Sequence, residues 1–261
     1  MVLFSFKNLR ILILLILLAF TAIYTQDQRL NTRYWYQPTT VAIFPINGDG
    51  SEVTANYIKH LTPAHFQDID AFFTKNAKQY KLITPTPIMT TLGPSIASQP
   101  PSPPKDRNAM LSVMLWSLKL RYWAYMNTPD DISNNQRIRL YVLFHQAKAQ
   151  HALEHSLGLQ KGLIGIIHAY ADRQQNQQNQ IVMAHEILHT VGAIDKYDQH
   201  NQPIFPEGYA KPLQKPLHPQ RFAEIMAGRA ALSERSAEIP KNLRHVVVGE
   251  MTAKEINWLN E

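Results

Sequence analysis

Residues 185 to 189 read His-Glu-Ile-Leu-His and sit inside an apolar stretch formed by Ile181, Val182, Met183, Ile187, Leu188 and Val191. A helix turns every 3.6 residues, so His185 and His189 project from one face, one turn apart. A helix that is apolar on most sides is buried. Two imidazoles and a carboxylate carried on a buried helix need partners. A metal ion supplies them, since imidazole nitrogens bind zinc at ~2.0–2.1 Å. Glu186 follows the first histidine directly. From there it can take a proton from a metal-activated water and return it to a leaving amine.

The pattern continues as His185-Glu186-x-x-His189-x-x-Gly192-x-x-Asp195. A glycine at position 192 ends the helix and reverses the chain through a left-handed conformation. The reversal brings Asp195 back to the metal as a third ligand. One coordination position then stays open for water and substrate, as catalytic zinc requires. A different scheme, with Glu207 or Glu224 as third ligand, remains open at the level of spacing.

Over residues 181 to 195 the sequence resembles the metzincin clan of zinc peptidases, in the form whose extended motif ends in aspartate. The resemblance implies an α+β zincin domain: a twisted mixed sheet, an active-site helix and an irregular C-terminal subdomain. It also implies a methionine in a tight turn beneath the metal. Glu224-Ile225-Met226-Ala227-Gly228 looks like that turn, with Met226 as its methionine. Many clan members place a tyrosine two residues after this methionine. Gly228 stands there instead, so that tyrosine's role does not carry over; Tyr197 is the nearest substitute as an oxyanion donor. In the clan the strand before the active helix pairs with extended substrate, and Leu163 to Ala171 occupies that place.

The rest of the chain reads as alternating elements. Thr40 to Ile46 is rich in branched and aromatic residues and predicts a strand, with Pro45 suggesting an edge position. Asn47 to Gly50 is a turn cluster. Phe66, Ile69, Phe72, Phe73 and Ala77 recur at helical spacing, with Pro63 at the helix start. Pro85 to Pro104 holds seven prolines and predicts a long surface loop. A helix is expected over 107–125. Arg137 to His145 alternates as a half-buried strand. Asp172 to Gln180 reads as a polar loop before the motif helix at Ile181 to Val191. A last helix is expected over 252–260, where Thr252 and Glu255 are spaced for a capping box.

Lys7 and Arg10 precede an apolar run from Ile11 to Ile23. This reads as a secretory signal or an uncleaved transmembrane anchor over 1–25. The lack of well-placed small residues favours the retained anchor. A tether over 26–39 and a catalytic domain over 40–261 follow. The positive charges before the run predict a body facing away from the cytoplasm, periplasmic in a Gram-negative cell. The absence of cysteine excludes thiolate metal sites, cysteine nucleophiles and disulfides. The net charge of +6 comes from scattered residues without a dense basic run, so no nucleic-acid partner is expected. These features together predict a zinc endopeptidase of the cell envelope acting on peptide or protein substrates. A cell-wall peptide amidase and a non-catalytic metal-binding envelope protein are the alternatives.

Overall fold

The computed structural model describes residues 34–104, 106, 109–129, 138–147, 156–160 and 162–259, together with 6, 8–16, 18 and 19 near the N-terminus. The upstream half contains β1 (Thr39–Asn47), α1 (Glu52–Lys59), α2 (Gln67–Gln79), β2 (Ile88–Leu92), α3 (Met110–Asn127), β3 (Ile138–His145), β4 (Leu157–Leu159) and β5 (Ile164–Tyr170). The motif helix α4 (Asn176–Thr190) follows. Beyond it come the short strands β6 (Ala223–Glu224), β7 (Ala230–Ser233), β8 (Ser236–Glu238) and β9 (Val246–Val247), a 3-10 turn at Leu243–His245, and the helix α5 (Glu250–Glu255).

The central sheet has the order β2-β1-β3-β5-β4. Its pairs are parallel except for the last, in which β4 runs antiparallel to β5. The architecture is therefore mixed α/β with a mostly parallel sheet. A parallel sheet must be covered on both faces, and side chains alternate between those faces along each strand. Val41, Ile43, Leu140, Val142 and Ile167 point into the main core, with Phe73 of α2, Met183 and Ile187 of α4 and Trp258. Ala42, Phe44, Ile46, Tyr141 and Leu143 point the other way, onto Trp116, Leu120 and Ala124 of α3. Those three residues are spaced by four and make one helical stripe. Full burial of a large apolar side chain stabilises by roughly 1.5–3 kcal/mol, so this double coverage is what holds the sheet. It also corrects the half-buried expectation for β3: Tyr141 and Leu143 lie under α3 and are buried.

Pro45 does not mark an edge strand, because β1 is flanked by β2 and β3. The ladder to β2 ends at Ile43–Leu92, and the Pro45 carbonyl accepts from Ile96 N at 2.9 Å on that side. The missing proline N–H faces the same side, past the end of β2, so it costs no ladder bond. The proline-rich stretch contains β2, an edge strand, as proline at its margins allows. Helix α1 is absent from the sequence expectations. It starts at Ser51, whose Oγ accepts from Thr54 N, and its only fully buried residue is Thr54, so no apolar stripe announces it.

Three element boundaries also move. Helix α2 begins at Gln67, behind a separate 3-10 turn at Pro63–His65, rather than at Pro63. Helix α4 begins at Asn176, inside the expected polar loop. Asn179 there is buried and brackets β5, accepting from Tyr170 N at 3.0 Å and donating to Tyr170 O at 2.9 Å. The expected last helix is only Glu250–Glu255, capped by Gly249.

The membrane-anchor, signal-anchor and transmembrane expectations are corrected. Among the described residues no helix is long and apolar enough to cross a membrane. Residues 1–5, 7, 17 and 20–33, which include the rest of the expected anchor and much of the tether, lie outside the described residues.

Candidate metal centre

Helix α4 carries His185, Glu186 and His189 and closes at Val191. Gly192 then takes φ +110, a conformation that suits glycine. Ala193 N donates back to Leu188 O at 3.0 Å, which satisfies one of the last helical carbonyls. The reversal has two consequences. It turns the Ala193 carbonyl toward His189 Nδ1, 2.9 Å away, and it returns Asp195 to the histidines.

Asp195 Oδ1 lies 3.1 Å from His185 Nε2 and 3.1 Å from His189 Nε2. One ligand atom from each of these three residues falls within 4.8 Å of the others, so the group can hold a metal ion. The far side of each imidazole is committed to the backbone. His185 Nδ1 pairs with the Ile225 carbonyl at 3.0 Å, and His189 Nδ1 with that of Ala193. A carbonyl only accepts, so each Nδ1 carries the proton, and a neutral ring then presents Nε2 as a lone pair. With both rings neutral, as metal ligands are, two imidazole lone pairs and a carboxylate oxygen converge; without a metal, a proton on Nε2 donates to Asp195 Oδ1 instead. Ligand atoms around a tetrahedral zinc lie roughly 3.3–3.5 Å apart for bonds of ~2.0–2.2 Å, close to the spacing found. The Ile225 and Ala193 carbonyls supply the outer contacts that orient metal-binding histidines.

Asp195 is held in place by its neighbours. Lys196 is buried, with a side chain only 1% exposed, and its Nζ donates to Glu255 Oε2 at 2.7 Å and to Ile194 O at 3.0 Å. Ile194 N donates to the same Glu255 oxygen at 3.1 Å. Lys196 N donates to Met226 O at 3.0 Å. Residues 194 and 196 are therefore fixed on both sides of Asp195. Glu255 does this work instead of capping a helix, and Thr252 donates to Glu224 Oε1 at 2.7 Å, so the expected capping box is not formed.

Glu224 organises the downstream turn. It is fully buried, and its carboxylate accepts from Met226 N at 2.6 Å, Ala227 N at 3.0 Å, Gly249 N at 3.0 Å and Thr252 Oγ1. Gly228 closes the turn at φ +70 and donates to the Glu224 carbonyl at 3.0 Å. The turn expected around Met226 is present, and the Met226 side chain packs in the main core. Its link to the centre is the Ile225 carbonyl on His185. Glu224 is not a ligand, because its carboxylate is spent on the turn. Glu207 lines a separate cavity of about 450 Å³ with Tyr80 and Tyr209, apart from the histidines.

Glu186 is 5% exposed, and its Oε2 is buried without a hydrogen-bond partner. Burial pushes its carboxyl above the usual range, against the pull of His185, His189 and a hydrogen bond from the Gly158 backbone. For Asp195, burial acts upward too, but the hydrogen bonds to His185 and His189 outweigh it and hold the carboxyl well below its usual range. Burial first, and then the Asp195 charge, push the Tyr197 phenol up to about 12. Tyr197 is hydrogen-bonded to Asp195 and therefore donates to it.

Strand β4 lies directly over the motif helix. A Cβ at Gly158 would stand 2.5 Å from Glu186 O, 2.7 Å from His189 Cβ and 3.0 Å from Glu186 Oε2, so only glycine lets the strand come this close. This also corrects the expectation for β5, which is covered by β4; among the described residues the terminal strand of the sheet on this side is β4. A cleft of about 380 Å³ opens beside the centre, lined by His185, Glu186 and Tyr197 among others.

The structure brings together His185, Glu186, His189 and Asp195. Sequence reasoning missed Gly158, the Ala193 and Ile225 carbonyls, and the Lys196–Glu255 pair. Only the left-handed glycine at 192 hinted at one of these, because a reversal there must expose the next carbonyl. No family model matches the chain, and no curated protein matches it.

Proposed function

We propose that the chain is a zinc-dependent endopeptidase of metzincin type, in which His185, His189 and Asp195 hold the metal and Glu186 is the general base. The observation that carries this reading is the buried, unpartnered Glu186 Oε2 beside three converging ligand atoms. A purely structural metal site has no use for such a carboxylate, and burying one of its oxygens without a partner is costly. Two imidazoles favour zinc over calcium or magnesium, which take oxygen ligands. Asp195 reaches solvent, so the cluster is open on one side.

Zinc held there would polarise the scissile carbonyl and make a water acidic enough to attack it near neutral pH. Glu186 takes the proton of the attacking water at Oε2 and delivers it to the leaving amine. Its raised proton affinity suits both transfers, since it both accepts and returns the proton. Tyr197 keeps its proton at neutral pH and can donate to charge developing on the substrate oxygen. The terminal position of β4 favours a peptide substrate, because an extended chain can add to a sheet edge through its backbone.

The test is metal analysis of the purified protein together with digestion of a peptide library. One zinc per chain is expected, with internal peptide bonds cleaved, cleavage lost to a chelator and regained with zinc. Zinc binding without cleavage of any peptide would make the centre structural. No zinc even after supplementation would refute the reading.

A further inference from the structure

The cleft beside Glu186 has a mostly apolar wall made by Ile181, Val182, Ile225, Ala227 and Ile239. Arg229 stands in the same lining and is half-buried. Among the described residues it makes no hydrogen bond and no ion pair, not even to Glu186, the one carboxylate lining this cleft. A guanidinium is always charged and offers five donors in a planar fork. With no partner in the protein, it is available to a carboxylate ligand, to which it can donate two hydrogen bonds at once.

The mounting of Arg229 is rigid. It follows Gly228, the last residue of the turn clamped by Glu224, and precedes β7, which pairs with β8. An always-charged fork carried on that backbone beside a hydrolytic centre selects substrates rather than reacting with them. Resting on the endopeptidase reading, we propose that Arg229 is a specificity residue that binds a substrate carboxylate near the bond to be cut. The carboxylate comes from an acidic side chain or from the peptide's own C-terminus.

The test uses the purified full-length protein and three fluorescent peptides of one sequence. The first carries a single glutamate and blocked ends. The second is its glutamine twin with blocked ends. The third is the glutamine twin with a free C-terminal carboxylate. Binding is measured by anisotropy on metal-free protein, and kcat/KM on the zinc-loaded protein. Either carboxylate peptide should bind at least ~10-fold more tightly than the blocked glutamine peptide, the usual size of a charge-assisted hydrogen bond. Tighter binding of the first peptide assigns the side chain, and of the third the terminus. Arg229→Gln should bring the preferred peptide down to the level of the neutral one, and Arg229→Glu should favour a lysine peptide. A binding preference lost in Arg229→Gln, without cleavage by any form, would support the carboxylate site while refuting the peptidase reading. Equal binding of all three peptides, or a preference that survives Arg229→Gln, would overturn the proposal.

Discussion

Glu186→Gln leaves zinc bound and lowers peptide cleavage by at least ~10²-fold, the usual contribution of a general acid–base group. Glutamine has nearly the same shape and fits the site in which Glu186 is buried. It contributes no metal ligand, and the His185, His189 and Asp195 contacts do not depend on it. The amide, however, cannot accept the proton of the attacking water. Because the amide oxygen can still accept from the Gly158 backbone and a buried charge is removed, stability should change little or rise slightly. The measurement pairs zinc content with kcat/KM on one library-derived peptide. Full activity in zinc-loaded Glu186→Gln would mean that another group handles the proton.

Glu224→Ala unfolds the protein or destabilises it by more than ~3 kcal/mol. The side chain is buried and accepts from three backbone N–H groups and the Thr252 hydroxyl. Removing it orphans four donors in the interior, each costing roughly 1–3 kcal/mol and not strictly additive. The damage reaches the centre, because the same turn presents the Ile225 carbonyl to His185. Any folded fraction should therefore also bind metal more weakly. Glu224→Gln keeps one acceptor oxygen and should fall between wild type and Ala. Denaturant unfolding of the metal-free protein measures this. An unchanged midpoint in Glu224→Ala would show that the turn stands without its carboxylate.

These two residues illustrate what the sequence made legible. Glu186 is marked by spacing: the ligands and the base fall within eleven residues from 185 to 195, and helical period plus one left-handed glycine set their geometry. Glu224 carries no such mark. Its partners Gly249 and Thr252 are 25 and 28 residues away, and most of what it binds is backbone. Gly158 is hidden for a related reason: its three-residue strand shows no period, and its value lies in what it does not place against Glu186. The interior strands were legible in two ways: β1 and β5 by their runs of branched and aromatic residues, and β3 by its alternation, which hid the burial of its second face under α3. Their order and edges were not, and Pro45 misled because only the finished ladder reveals which side of β1 lacks a partner. Helix α4 was read short because Asn179 looks like a loop residue until its hydrogen bonds to Tyr170 are seen.

Zinc titration of the metal-free protein tests the ligand set most directly. Wild type should bind one zinc per chain. Asp195→Ala should weaken that binding by at least ~10²-fold, more than the loss of an outer-shell contact. Glu207→Ala should match wild type, since Glu207 lines a separate cavity. Normal zinc affinity in Asp195→Ala, with affinity lost in Glu207→Ala, would contradict the assignment of His185, His189 and Asp195 as the metal centre.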